Sequence, residues 1–221
     1  KVKDELNEVG HRSVVTGGTL LGWATAIQKY GRLPLGVVME PAIRFARDGF
    51  RVSPYLRAIT EMQEANIRRF PATAAVFLPN GSLPAVGDRI VRSDYGRTLE
   101  AIAEHGPDYL YHGPLGKAIA DDMAANGGII TMRDIEEYRV YERPPVRGSY
   151  RGYEIIGPPP PSSGPLHIVE MFNILEGFDL RGMGFGSEDT VHLWTEAMKL
   201  AFADRFEYVA DPASTPVPLA W

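Results

Sequence analysis

Four consecutive prolines, Pro158 to Pro161, separate a predicted hairpin from a predicted helix. Proline fixes φ and lacks an amide donor, so this run cannot be helical and we expect it to run extended. Ser162, Ser163 and Gly164 follow at once, before Pro165 and an apolar helical pattern. A stiff segment therefore delivers two hydroxyl groups to the N-terminus of a helix.

The hydroxyl groups of Ser162 and Ser163 have two interpretations. Uncommitted N–H groups at a helix start can hold an anion or an oxyanion, which makes Ser162, Ser163 and Gly164 candidate substrate-binding residues. Alternatively, one serine only caps the helix while Pro165 occupies its first position. We favour the capping interpretation and keep the three residues as the candidate site.

Helix signals dominate the rest of the sequence. Thr131 with Asp134 resembles a capping box, and Ser187 is the expected N-cap of the last and longest helix. The predicted helices are Thr19 to Tyr30, Pro41 to Asp48, one opening at Ser53-Pro54, Ser93 to Gly106, Leu115 to Asn126, Leu166 to Glu176 and about Glu188 to Val209. The expected apolar face of the last helix consists of Val191, Trp194, Met198, Ala201 and Phe202.

Strand signals are confined to one hairpin. Val146 to Tyr150 and Tyr153 to Ile156 alternate as strands do and are joined at Arg151-Gly152. Two strands alone are marginal and need a larger sheet or covering helices. The sequence therefore predicts an α+β class, mostly helical with one short hairpin, and residues 1–221 as a single region of a larger fold.

Composition and spacing exclude several functions. A 44% hydrophobic, 23% charged chain of net charge −5 is typical of a globular protein and lacks the basic character of a general nucleic-acid binder. Zero cysteines exclude thiol nucleophiles, disulfides and cysteine-ligated metals. The five histidines show no metal-binding spacing, and the glycine clusters lack the strand–GxGxxG–helix context. We therefore predict no cofactor, no metal site and no membrane span.

A series of short motifs, in this order, resembles the large-subunit region of the gamma-glutamyltranspeptidase family. Three of them carry most of the specificity: Tyr150-Arg-Gly-Tyr153, the PPPSSG run ending at Gly164, and Glu196-Ala-Met-Lys199 followed by Ala203-Asp-Arg205. The others are Thr16 to Gly22, Tyr30-Gly31, Leu33-Pro34, Pro41-Ala42, Ala46 to Phe50, Gly87-Asp88, Glu104 to Asp108, Gly127 to Thr131, Tyr138, Asn173 to Glu176, Phe178-Asp179 and Asp211-Pro212. The resemblance covers about Val14 to Pro218.

The resemblance implies an N-terminal-nucleophile hydrolase with an αββα sandwich, made by autocatalytic cleavage of a precursor. Its threonine nucleophile would attack a gamma-glutamyl amide, such as glutathione, and pass the acyl group to water or an amine. The resemblance implies that this threonine and the carboxylate-binding arginine lie outside this chain, so no catalytic residue is assigned and the isolated chain is expected to be inactive. The resemblance also implies a small-subunit partner from the same precursor, and a periplasmic or extracellular location.

Two departures from the family pattern stand out. Pro165 replaces a second glycine after the Ser-Ser-Gly run, and Thr16-Gly17-Gly18 stands where the family has Val-Pro-Gly. A cephalosporin- or glutaryl-type acylase, or a capsule-processing transpeptidase, shares the same landmarks. A non-catalytic homologue acting as a binding or scaffold module is the alternative from another class.

Overall fold

The computed structural model describes residues 2–218, which fall into two compact units, Lys1–Val140 and Tyr141–Trp221. The first unit is nearly all helix, with one two-residue strand pair. Its elements are α1 (Thr19–Tyr30), α2 (Leu35–Asp48), β1 (Phe50–Arg51), α3 (Pro54–Met62), α4 (Glu64–Arg68), α5 (Pro71–Phe77), β2 (Arg89–Ile90), α6 (Ser93–His105), α7 (Asp108–Tyr111), α8 (Pro114–Ala125) and α9 (Met132–Glu136). Three short 3₁₀ turns, Lys3–Glu5, His11–Ser13 and Pro79–Gly81, complete it.

The second unit contains the hairpin and three helices. Its elements are β3 (Val146–Tyr150), β4 (Tyr153–Gly157), α10 (Gly164–Glu176), α11 (Leu180–Met183) and α12 (Glu188–Tyr208). Strands β1 and β2 pair antiparallel in the first unit, as β3 and β4 do in the second. Within residues 2–218, no helix is long and apolar enough to span a membrane.

Helix α2 begins six residues before the predicted start at Pro41, which is an interior residue of the helix. The predicted start was wrong because this helix tolerates a proline in its interior, where proline is usually unfavourable. Its ring is exposed, so water can solvate the carbonyl that the missing N–H leaves unpaired. Close packing on α6 stabilises the longer helix: a Cβ on Gly36 would lie 3.3 Å from the Ala103 carbonyl oxygen.

Tyr111 organises the core of the first unit. It is 2% exposed and packs with three other buried side chains, Met123, Ile130 and Ile135. Its hydroxyl donates to the Gly17 carbonyl at 2.7 Å and accepts from the Leu21 amide at 3.2 Å. Leu21 is in the first turn of α1, whose N-cap residue Gly18 has no side chain. The Tyr111 hydroxyl therefore accepts the first-turn amide hydrogen bond that the side chain of an N-cap serine would otherwise accept.

The hairpin has the predicted position and turn. Val146 pairs with Gly157 and Tyr150 with Tyr153, so Arg151 and Gly152 form a two-residue turn. Both have positive φ, 48° and 85°, as the type I′ turn requires. One face of the hairpin packs on α10, where the Tyr150 and Phe172 rings stack at 4.5 Å.

Local capping predictions are confirmed where the backbone is extended at the N-cap. Ser187 accepts a hydrogen bond from the Thr190 amide at 3.2 Å at the start of α12, and Thr131 and Asp134 form both bonds of a capping box.

The predicted apolar face of α12, however, is largely wrong. Val191, Trp194 and Met198 are about half exposed, while the buried residues are Thr190, Ala197 and Ala201. Small residues face inward because α12 packs closely on α10.

Candidate functional site

The four-proline run ends in a turn, which corrects the expectation that it is extended throughout. The Ser162 amide donates to the Pro159 carbonyl at 3.1 Å, and the Pro160–Pro161 peptide bond is cis. Pro160 is almost completely buried. The fixed φ of proline fits a turn as well as an extended strand, and Ser162 supplies the first amide donor after the run.

The candidate residues Ser162, Ser163 and Gly164 lie directly after this turn, at the start of α10. Ser163 occupies the N-cap position, but its side chain makes no capping hydrogen bond, so the favoured capping interpretation is wrong. The reason is its backbone, φ −88° and ψ −21°, where a capping serine such as Ser187 has an extended one. Proline at position 165 also removes one of the amide donors that a cap would satisfy.

The two serine hydroxyls are therefore uncommitted to the helix. Ser162 is exposed and Ser163 is half-buried. Among residues 2–218, neither hydroxyl has a hydrogen-bond partner. The structure thus places the three candidate residues side by side with both hydroxyls available to a ligand.

A single arginine fixes the proline turn. Arg143 donates to the Pro160 carbonyl at 3.1 Å and to the Asp211 carboxylate at 3.0 Å, and its guanidinium lies 5.1 Å from the centre of the Tyr141 ring. Asp211 belongs to an Asp-Pro motif seen in the sequence, whereas Arg143 was missed. No local pattern marks a pair 68 residues apart.

A cleft of about 420 Å³ opens between β3, α10 and α12, whose residues all belong to the second unit. His167, in the first turns of α10, lines it and stacks on Phe202 of α12 with ring centres 5.6 Å apart. A buried histidine usually finds a hydrogen-bond partner for its ring nitrogens. His167 is buried, 7% exposed, but among the described residues its Nε2 has no hydrogen-bond partner.

Two carboxyl groups meet in the same cleft. Glu170, one turn after His167 on α10, and Asp204 on α12 both line it. Burial, followed by the charge and hydrogen bond of Asp204, raises the pKa of Glu170. Burial, with a smaller contribution from the positive charge of Arg205, lowers the pKa of His167.

Two of the remaining histidines lie beside an aspartate, and His192, whose apolar neighbours on α12 predicted a core or boundary position, is exposed instead. His112 is a surface residue beside Asp108, 3.1 Å away, and His11 lies 3.2 Å from Asp122. Among residues 2–218, no group of three His, Asp or Glu side chains is placed to hold a metal ion.

Comparison with known proteins decides the family. The sequence model described as gamma-glutamyltranspeptidase matches residues 1–220. The chain belongs to the gamma-glutamyltranspeptidase family. It is 51% identical over 218 residues to the acylase ACY 1 proenzyme of Pseudomonas sp. strain SE83, covering 99% of this chain and 39% of that protein. It is 42% identical over 209 residues to the glutathione hydrolase proenzyme of Escherichia coli K12, covering 94% and 36%.

Solved members of the gamma-glutamyltranspeptidase family have the same fold. The gamma-glutamyltranspeptidase of Helicobacter pylori superposes with a TM-score of 0.95 at 34% identity, covering 98% of this chain and 62% of that one. The predicted class, a helix-rich α+β part of an N-terminal-nucleophile hydrolase, is thereby confirmed. The chain spans little more than a third of the length of the curated relatives it matches.

The departure at Pro165 is accommodated within the second unit. A Cβ on Gly157, the last residue of β4, would lie only 2.4 Å from Cγ of Pro165. The proline ring therefore packs directly on the glycine, which holds the entry to α10 against the hairpin.

Proposed function

We propose that the chain is part of an enzyme that transfers or hydrolyses the gamma-glutamyl group of glutathione and related amides. The family match over residues 1–220 carries this proposal. The reaction proceeds through an acyl-enzyme on a threonine that lies outside these residues, in the small subunit of the same precursor. Residues 1–221 are then a single region of the large subunit, and the chain alone is inactive.

Within that enzyme we assign substrate binding to Ser162, Ser163 and Gly164. Their support is geometric: two hydroxyls without a hydrogen-bond partner among residues 2–218 stand at the start of a 13-residue helix, on a turn held by Arg143. Hydroxyl donors and the positive end of a helix suit a carboxylate of the substrate.

Exposed apolar side chains support a partner for this chain. Trp194 and Met198 on α12 are 50% and 47% exposed, and Phe206 further along is 83% exposed. Contiguous apolar surface of this kind is typical of an interface. We assign it to contact with the small subunit, and by family resemblance we place the protein in the periplasm or outside the cell.

A second candidate function is acylase activity on a cephalosporin or glutaryl amide. The 51% identity to a protein named acylase ACY 1 proenzyme favours it. The two candidates share the threonine chemistry and differ in the acyl group they accept.

The test is expression of the full-length gene, with the 221-residue chain as a parallel sample. We expect release of nitroaniline from a gamma-glutamyl nitroanilide by the full-length protein and none by the isolated chain. Preference for a glutaryl amide would select the acylase instead. Absence of turnover on both substrates would favour a non-catalytic binding module.

The serine assignment has its own variants. Ser162→Ala with Ser163→Ala should raise KM at least tenfold while leaving precursor cleavage intact. Ser82→Ala, an exposed serine in the first unit, is the matched control and should leave KM unchanged. An unchanged KM in the double variant would refute the assignment of these serines and leave the proposed reaction unaffected.

A further inference from the structure

The four-proline run before Ser162 cannot hold its own conformation by backbone hydrogen bonds. Pro158 to Pro161 have no amide N–H, so none of them can donate to a carbonyl of the run. The Pro159 carbonyl accepts the Ser162 amide, which is the first N–H after the run. The Pro160 carbonyl accepts instead from the side chain of Arg143, 17 positions earlier. The turn that presents the two serines therefore depends on a long-range donor.

Arg143 is itself held in place on both sides. Two prolines follow it in the sequence, and a proline restricts the residue before it to an extended backbone. Its guanidinium donates to the Pro160 carbonyl at 3.1 Å and to the Asp211 carboxylate at 3.0 Å, and its side chain is only 23% exposed. Asp211 is fixed in a turn of its own, because its carboxylate also accepts the Ala213 amide at 3.0 Å. The arginine thus joins two turns of the second unit.

The contacts of Arg143 separate its role from that of a substrate ligand. Both terminal nitrogens of the guanidinium donate to protein acceptors, and the group lies 5.1 Å from the centre of the Tyr141 ring. The planar fork of a guanidinium suits two acceptors at fixed positions, and here it links two segments of the chain. Any effect of Arg143 on a ligand is therefore exerted through the turn.

We propose that Arg143 is a positioning residue for substrate binding, which holds the proline turn so that the Ser162 and Ser163 hydroxyls keep the arrangement that binds the substrate. The proposal rests on the assignment of these serines under the proposed function. Displacement of binding groups is costly, since a misplacement of about 1 Å can lower a reaction rate by roughly a hundredfold. Loss of the guanidinium should therefore weaken substrate binding and leave the threonine chemistry intact.

Kinetics of the full-length enzyme test this role, with the gamma-glutamyl or glutaryl nitroanilide that it turns over. Arg143→Ala should raise KM about fivefold and leave kcat within about twofold, because the serines bind ground state and transition state alike. Arg143→Lys should restore part of the affinity, since an ammonium can donate to either acceptor but lacks the fork that spans both. Arg147→Ala is the matched control, because it removes an exposed arginine, paired with Glu154, from the same unit and should leave KM unchanged.

Combination with the serine variants shows whether Arg143 acts through them. Added to Ser162→Ala with Ser163→Ala, the Arg143→Ala change should raise KM by less than about twofold, because its target is already absent. A further rise of about fivefold would mean that Arg143 acts by another route, and it would overturn the proposal. An unchanged KM in Arg143→Ala, beside a raised KM in the serine double variant, would refute the positioning role and leave the serine assignment standing.

Hydrogen exchange on the full-length protein tests the turn without any turnover. Because prolines have no amide, a peptide over residues 158–164 reports only Ser162, Ser163 and Gly164. These amides should exchange about tenfold faster in Arg143→Ala, while the amides of α12 exchange as in the wild type. Equal exchange at the serines would refute the positioning role even in a protein with neither proposed activity.

Two further outcomes of the exchange experiment are decisive. Faster exchange throughout α12 as well as at the serines would mean a general loss of stability, which refutes a role confined to the turn. If Arg143→Ala does not fold, Asp211→Asn keeps the arginine and weakens its anchor. That variant should also speed exchange at Ser162 and raise KM, and wild-type values of both would overturn the proposal.

Discussion

The tyrosine that caps α1 gives the sharpest test of the first unit. Tyr111→Phe removes one hydroxyl and nothing else, which leaves the Gly17 carbonyl and the Leu21 amide without their partner. A buried polar group left unpaired costs about 1–3 kcal/mol, and loss of an N-cap costs about 1 kcal/mol. Because both groups lie at a helix end that water can partly reach, we expect a loss of about 2 kcal/mol in the free energy of unfolding, within those ranges.

Urea denaturation followed by circular dichroism measures this change, and a loss of about 2 kcal/mol lowers the melting temperature by roughly 6 °C for a unit of this size. Hydrogen exchange locates it, since amides of the first turn of α1 should exchange faster than those of α8. Tyr55→Phe is the matched control, because Tyr55 is 76% exposed on α3. A loss below about 0.5 kcal/mol, or the same loss in both variants, would refute the capping role of Tyr111.

Two further predictions concern the second unit. Gly148→Ala should lower the free energy of unfolding of this unit by about 1–3 kcal/mol, because a Cβ there would lie 2.6 Å from both methyl groups of Val169. Urea denaturation should show that adding Val169→Ala restores part of the lost stability. No restoration would mean that this contact is not the cause. The raised pKa of Glu170 implies a contribution to stability that is full below pH 4.5 and lost as pH rises through its folded value. Glu170→Gln should flatten that part of the stability profile, and an unchanged slope would contradict the raised pKa of Glu170.

Features encoded by neighbouring residues were predictable from the sequence. Ser53, Thr131 and Ser187 each mark a helix start by a short side chain that accepts a hydrogen bond from the backbone amide three residues on, and the structure has all three caps. The hairpin turn at Arg151-Gly152 was equally local, because a two-residue loop needs positive φ and glycine supplies it.

Features that depend on distant residues were not predictable. The Tyr111 hydroxyl bond to Gly17 spans 94 positions, and Arg143 reaches Asp211 across 68. The predicted apolar face of α12 is largely exposed. Helical periodicity identifies an apolar face, but it does not show whether other parts of this chain cover that face. Pro41 misled the sequence analysis because tertiary packing overrides the local preference of proline for a helix start.

The sequence predicted the position of the candidate site but not its conformation, which depends on distant residues. The Ser162–Ser163–Gly164 segment was visible as an unusual run, but its backbone conformation, which frees the Ser163 hydroxyl, is set by the turn before it. Glu170 and Asp204 line the same cleft from two different helices, and only the fold brings those residues together.

The measurement that most directly tests the central claim is the intact mass and N-terminal sequence of the purified full-length protein, read beside its turnover of a gamma-glutamyl nitroanilide. The account predicts two fragments from one precursor. The larger contains these 221 residues, and the smaller begins with threonine and is required for turnover. A single uncleaved chain without activity on either a gamma-glutamyl or a glutaryl amide would contradict the proposed enzyme.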